Sequence, residues 1–196
     1  MRRLGVLGGT FDPVHVGHLV AAVNVRHALR LDTVLLVVAG EPWQKVGTRT
    51  ISPAADRLAL VAAAVGEVDG LEASDIEIRR GGLSYTADTL RDLHDRHAGE
   101  VELFLIVGSD VAASLDTWEH VDVVRSLATL VVVNRPGTPA APPLEPAWRV
   151  ETVDIPNLEI SSSDLRARAA EGRPLDYLVP EAAVRCIRER GLYAPR

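Results

Sequence analysis

Gly8-Gly9-Thr10-Phe11-Asp12-Pro13-Val14-His15-Val16-Gly17-His18 follows a short apolar run at 4–7 and opens a helical pattern over 15–29. A glycine pair lets a ligand approach the backbone with no Cβ in the way. A helix start adds N–H groups without intrahelical partners and the positive end of the helix dipole. Strand, glycine turn and helix start together read as a cradle for phosphate. His15 and His18 are three apart at the helix entrance, so both rings can project together toward that cradle, and Gly17 between them leaves space for a ligand. No Gly-x-x-x-x-Gly-Lys-Ser/Thr is present, and the glycines do not make Gly-x-Gly-x-x-Gly, so neither a P-loop nor a dinucleotide fingerprint accounts for them. A zinc pair would need a third ligand, and no other Cys or His supplies an obvious one.

Outward from this stretch, apolar and β-branched runs recur at 34–39, 103–107 and 130–133. Each is too short for a buried helix and too apolar for a strand facing water, which predicts central parallel strands. Helical patterns lie between them: 54–65, opened by Ser52-Pro53, and 86–97, closed by Gly99. This β-α alternation predicts an α/β fold with a doubly wound parallel sheet. Ligands of such sheets bind beyond the carboxyl ends of the strands, so the residues just after 7, 39, 107 and 133 are the ones to read for chemistry. The Pro- and Ala-rich stretch 136–146 reads as a loop or linker. Beyond it the pattern predicts a strand ending near 155, then helices over 163–171 and 181–190 stopped by Gly172 and Gly191. The expectation is a single domain of 196 residues, with the sheet core over 1–137 and a small strand and helical part over 150–196.

Composition narrows the function classes. With 47% hydrophobic and 24% charged residues the chain has ordinary globular usage. Its formal charge of −6 argues against a general nucleic-acid surface, which needs a field able to displace phosphate counterions. A local phosphate pocket and small-molecule partners remain open, and self-association into a homo-oligomer is compatible with this composition. The single cysteine, Cys186, allows no intramolecular disulfide. No run approaches the ~20 apolar residues of a membrane span. A cytoplasmic location without membrane partners is therefore expected.

Residues 8–18 resemble the (T/H)-x-G-H signature of the nucleotidyltransferase superfamily, in the form found in bacterial nicotinate-mononucleotide adenylyltransferases. The resemblance extends over nearly the whole chain in order and spacing. It takes in Ser84-Tyr85-Thr86-Ala87-Asp88-Thr89-Leu90, Gly108-Ser109-Asp110 with Thr117-Trp118, and Asn134-Arg135-Pro136-Gly137. It continues through 160–163 with Arg166 to Arg190-Gly191-Leu192-Tyr193 near the end. It implies a Rossmann-like nucleotidyltransferase fold and the reaction of ATP with nicotinate mononucleotide to give deamido-NAD and pyrophosphate, in NAD biosynthesis. A magnesium ion is expected with the ATP. Its protein ligands are not legible, and Asp12 and Asp110 are candidates by location alone.

Roles follow residue by residue. His15 and His18 are expected to donate hydrogen bonds to the triphosphate as charge builds on the leaving group. Lys45, after the second strand, is expected to contact phosphate. The family commonly has a second proline and a histidine just before this lysine, and here Trp43-Gln44 stand instead. Gly8, Gly9, Thr10, Phe11, Gly108 and Asp110 join the ATP site. Ile160, Ser161, Ser162 and Arg166 make a second anion site where a helix begins, although helix capping alone also accounts for those serines. For the mononucleotide, the resemblance implies that the Tyr85 and Thr86 amides receive the pyridine carboxylate. Trp118 would stack on the ring, Asp110 would bond ribose and Arg135 would meet the phosphate. Two alternatives share the first loop. One is another nucleotidyltransferase, such as a pantetheine-phosphate adenylyltransferase or a glycerol-phosphate enzyme. The other is a nucleotide-binding regulator without catalysis.

Overall fold

The fold is seen in a computed structural model that describes residues 1–42, 50–134 and 148–194, the side chain of Asp116 excepted. Its elements in chain order are β1 (Arg2–Gly9), α1 (Val16–Ala28), β2 (Thr33–Val38), α2 (Ala54–Val65), β3 (Leu71–Ser74), α3 (Ile76–Arg80), α4 (Thr86–Arg96) and β4 (Val101–Gly108). Then come α5 (Ser109–Ala112), a 3-10 turn (Leu115–Thr117), α6 (Val121–Leu127), β5 (Ala128–Asn134), β6 (Val150–Asp154), α7 (Ser162–Ala170) and α8 (Glu181–Glu189). The strands form one six-stranded sheet in the order β3-β2-β1-β4-β5-β6, and every pairing is parallel. This is the doubly wound sheet that the sequence predicts.

The period-two alternation of strands divides the core between the two faces of the sheet. In β2, Val34, Leu36 and Val38 pack with Ala22 and Val25 of α1, Leu60 and Val61 of α2, and Ala183 and Ile187 of α8. Leu35 and Val37 point the other way, toward Leu90 and Leu93 of α4 and Val124 of α6. All six residues of β2 are buried, which is why the strand is apolar without alternation from Val34 onward.

Chain order reverses between β1 and β4, so the loops after these two strands part and leave a crevice at their carboxyl ends. The 4–7 run lies within β1, and β4 and β5 cover the other two central runs. The short elements β3, α3 and α6 have no counterpart in the sequence reading. After the linker, which lies outside the described residues, β6 returns to the same sheet and pairs with β5 from Leu130↔Val150 to Asn134↔Asp154. Then α7 and α8 fold back over the α1 and α2 side, where Leu165, Val184 and Ile187 join the core. Among the described residues no helix is long and apolar enough to cross a membrane.

Candidate active site

The first loop is a tight bend at the crevice. Phe11 takes φ 50, a left-handed conformation uncommon for a residue with a side chain, and turns its ring under Gly9. A Cβ on Gly9 would lie 2.9 Å from that ring, whereas a Cβ on Gly8 would meet nothing within 4 Å. The glycine pair thus has two causes: Gly9 admits Phe11, and Gly8 keeps the crevice open. His15 is the N-cap of α1, in extended conformation, and His18 is its third helical residue. Their rings stack with centroids 3.7 Å apart and 30° between planes, and Phe11 meets His18 edge-on at 4.9 Å. The His15 amide donates to His18 Nδ1 at 3.2 Å. A neutral His18 ring therefore carries its proton on Nε2, as a donor. The helix start itself is less open than the sequence suggests. The Val16 amide donates to Leu178 O at 3.0 Å and the His18 amide to His15 O at 2.9 Å, so two of the first three amides of α1 are engaged by protein.

Three parts of the chain hold this bend. Arg57 of α2 is 1% exposed and donates to Thr10 O at 2.8 Å, Ser52 O at 2.9 Å and Gly40 O at 3.1 Å. One guanidinium thus ties the ends of β1 and β2 to the approach to α2. Asp12 is 1% exposed, and Tyr193 Oη donates to its Oδ1 at 2.7 Å. Burial, then the bond to Asp12, raises the Tyr193 pKa well above the usual phenol value. Arg166 donates to Asp12 O at 2.7 Å and Ser162 Oγ to Pro13 O at 2.9 Å. Ser161 caps α7 by accepting from the Asp164 amide at 3.1 Å, the capping role that its sequence context allows. Ile160 packs against the core beside it.

On the other side of the bend lies a cavity of about 310 Å³. Gly8, Gly9 and Thr10 form one wall, Tyr85 and Thr86 a second, and Gly108 with Trp118 a third. Thr86 begins α4 with Tyr85 as its N-cap, so that helix directs its amino end at the cavity. Ser84 Oγ accepts from the Gly40 amide at 2.9 Å and the Ser84 amide donates to Glu41 O at 3.0 Å, fixing this helix start to the end of β2. Trp118 Nε1 is buried and has no hydrogen-bond partner among the described residues. Asp110 is exposed, and its carboxylate lies back over β4: a Cβ on Gly108 would stand 2.5 Å from it.

The structure therefore brings Gly8, Gly9, Thr10, Tyr85, Thr86, Gly108 and Trp118 around one cavity. It sets His15, His18, Ser162 and Arg166 along the adjoining bend. Lys45 and Arg135 lie outside the described residues, as do Trp43 and Gln44. Asp12 faces Tyr193 rather than solvent, and among the described residues no three His, Cys, Asp or Glu side chains are grouped to hold a metal ion. Sequence reasoning missed Arg57, and it missed Glu77, which lines the cavity while accepting from Thr89 Oγ1 at 2.6 Å. An arginine in an amphipathic helix gives no local sign that it is buried. The Glu77 pairing spans two elements, one of which was not anticipated.

Comparison with known proteins agrees with this geometry. Residues 6–168 match the cytidylyltransferase-like family. A protein of Corynebacterium kroppenstedtii named a probable nicotinate-nucleotide adenylyltransferase is 46% identical, covering 98% of this chain and 92% of its own length. One of the same name from Roseiflexus sp. is 46% identical, with 97% of each chain covered. Among solved structures, nicotinic acid mononucleotide adenylyltransferase of Plasmodium falciparum complexed with NaAD superimposes with a TM-score of 0.79 over 98% of both chains. The same enzyme complexed with APC gives 0.76. At 15% identity these two speak for the fold alone. By fold, by family model and by extended sequence identity, the chain belongs to the cytidylyltransferase-like family and, within it, to the nicotinate-nucleotide adenylyltransferases.

Proposed function

We infer that this chain transfers the adenylyl group of ATP to nicotinate mononucleotide, giving deamido-NAD and pyrophosphate. The observation that carries the reading is the pairing of two compartments across one bend. Stacked imidazoles lie along it, and a cavity headed by the amino end of α4 lies beside it. A phosphomonoester loses its second proton at a pKa of about 6, so the attacking oxygen is already ionised near neutral pH and needs no protein base. That oxygen bonds to the α-phosphorus of ATP, the bond from α-phosphorus to the bridging oxygen breaks, and the electron pair leaves with pyrophosphate. The work left to the protein is positioning and charge stabilisation. His18 donates from Nε2 to the triphosphate and His15 stacks behind it. The Ser161 hydroxyl, the Ser162 amide and Arg166, joined by Lys45, hold phosphate oxygens, since the Ser162 hydroxyl proton is committed to Pro13 O.

In the cavity, the amides at the start of α4 favour a carboxylate over a carboxamide because the helix dipole is positive there. That supports nicotinate over nicotinamide. Trp118 stacks on the pyridine, Asp110 bonds ribose and Arg135 meets the mononucleotide phosphate. Magnesium suits this chemistry, neutralising charge on the phosphates, and it would arrive on ATP oxygens rather than in a cage of the described residues. A cytoplasmic location goes with these substrates.

The test is pyrophosphate release from ATP with nicotinate mononucleotide, nicotinamide mononucleotide or phosphopantetheine as acceptor. Release should be fastest with the first. No release with any acceptor, or faster release with phosphopantetheine, would overturn the reading.

A further inference from the structure

The terminal segment Arg190-Gly191-Leu192-Tyr193 has no part in the reaction as described, yet the fold spends effort to place it. Gly191 and Tyr193 both take left-handed conformations, at φ 61 and φ 62, and turn the chain back after α8. A tyrosine in that region is strained, so something must hold it there. Arg190 is bound to Asp56 of α2 at 2.5 Å, and the Leu192 amide donates to Ile187 O at 3.0 Å. The turn delivers the Tyr193 hydroxyl to Asp12, 181 residues earlier, where it donates to Oδ1 at 2.7 Å. Ser52 and Arg166 also lie close enough to act on that phenol.

Asp12 is the joint on which the anion-binding groups hang. Its side chain receives Tyr193 at Oδ1 and, more weakly, the Ser52 amide at Oδ2 at 3.5 Å, its carbonyl receives Arg166 at 2.7 Å, and the next carbonyl, of Pro13, receives Ser162 Oγ at 2.9 Å. Rotation of the Asp12 side chain would free the peptide that aims both groups. We propose that Tyr193 is a positioning residue for the triphosphate: its hydroxyl fixes Asp12, and through the 12–13 backbone it sets Arg166 and Ser162. The proposal rests on the reading of Arg166 and Ser162 as ATP ligands. Since Tyr193 is not among the residues that line the cavity, its effect belongs to ATP and not to the acceptor.

Tyr193→Phe keeps the ring packed against the core and removes only the hydroxyl, and Tyr193→Ala removes both. Steady-state kinetics with each substrate varied, calorimetric ATP binding and thermal unfolding are measured on both variants and the wild type. Tyr193→Phe should raise the KM and Kd for ATP about 5- to 10-fold, the loss of one bond to a charged group partly compensated by water. The acceptor KM should stay within about twofold, and loss of the bond to buried Asp12 should lower the melting temperature by a few degrees, less than in Tyr193→Ala. Wild-type ATP binding by Tyr193→Phe, with loss only in Tyr193→Ala, would reduce the residue to packing and overturn the proposal. So would equal rises in both KM values. Failure of the wild type itself to bind ATP would instead refute the functional reading beneath it.

Discussion

Replacing Arg57 by methionine should unlock the bend without emptying the core. Methionine fills most of the space of the arginine stem, so the loss is chiefly that of three hydrogen bonds, to Thr10 O, Ser52 O and Gly40 O. An unsatisfied buried acceptor costs about 1–3 kcal/mol. The bond to Thr10 O is buried and the other two are part-buried, so water repairs some of the damage. Removing the buried charge also removes its desolvation cost, which lowers the net effect further. The expected loss is therefore about 2–4 kcal/mol. For a chain of this size that means a fall of about 4–16 °C in melting temperature. Urea unfolding followed by circular dichroism should show a lower midpoint at unchanged slope. Arg57→Lys should recover less than half, because one ammonium cannot reach three carbonyls that a planar fork spans. A loss under about 1 kcal/mol for Arg57→Met would refute the view that this residue holds the ends of β1 and β2 together.

Gly9→Ala places a Cβ 2.9 Å from the Phe11 ring and should cost about 1–3 kcal/mol in urea unfolding, whereas Gly8→Ala, with nothing within 4 Å, should leave stability intact and weaken ATP binding in calorimetry. Trp118→Phe sacrifices no hydrogen bond to the described residues, among which Nε1 has no partner. It should raise the KM for the mononucleotide about 5-fold through weaker stacking while the KM for ATP holds. Because Tyr193 is raised in the folded state, its contribution to stability is complete below the ordinary phenol pKa. It falls as pH climbs above about 10, where only the unfolded chain gives up the proton. Urea titrations between pH 9 and 11 should therefore show wild type losing stability more steeply than Tyr193→Phe, by up to about 1.4 kcal/mol per pH unit.

The central strands were legible because burial on both faces leaves unbroken apolar runs, as in β2. Leu71–Ser74 was not, because a four-residue strand at the edge of the sheet carries a glutamate and a serine and too few residues for periodicity to register. The phosphate bend announced itself through its glycines and histidines, but the spending of the Val16 amide on Leu178 could not be read. That bond joins residues remote in sequence and obeys no local period. The same holds for Tyr193 on Asp12 and for Arg57 on three carbonyls, whose partners only the completed fold brings within reach.

The role given to His18 bears most directly on the whole account. His18→Asn offers an acceptor near the position of Nδ1 for the His15 amide and removes the donor at Nε2, so helix capping and chemistry can be told apart. The measurement is turnover of ATP with nicotinate mononucleotide by this variant, beside its melting temperature. Turnover should fall roughly 100- to 1,000-fold while the protein stays folded, and wild-type turnover in a folded His18→Asn would contradict the assignment.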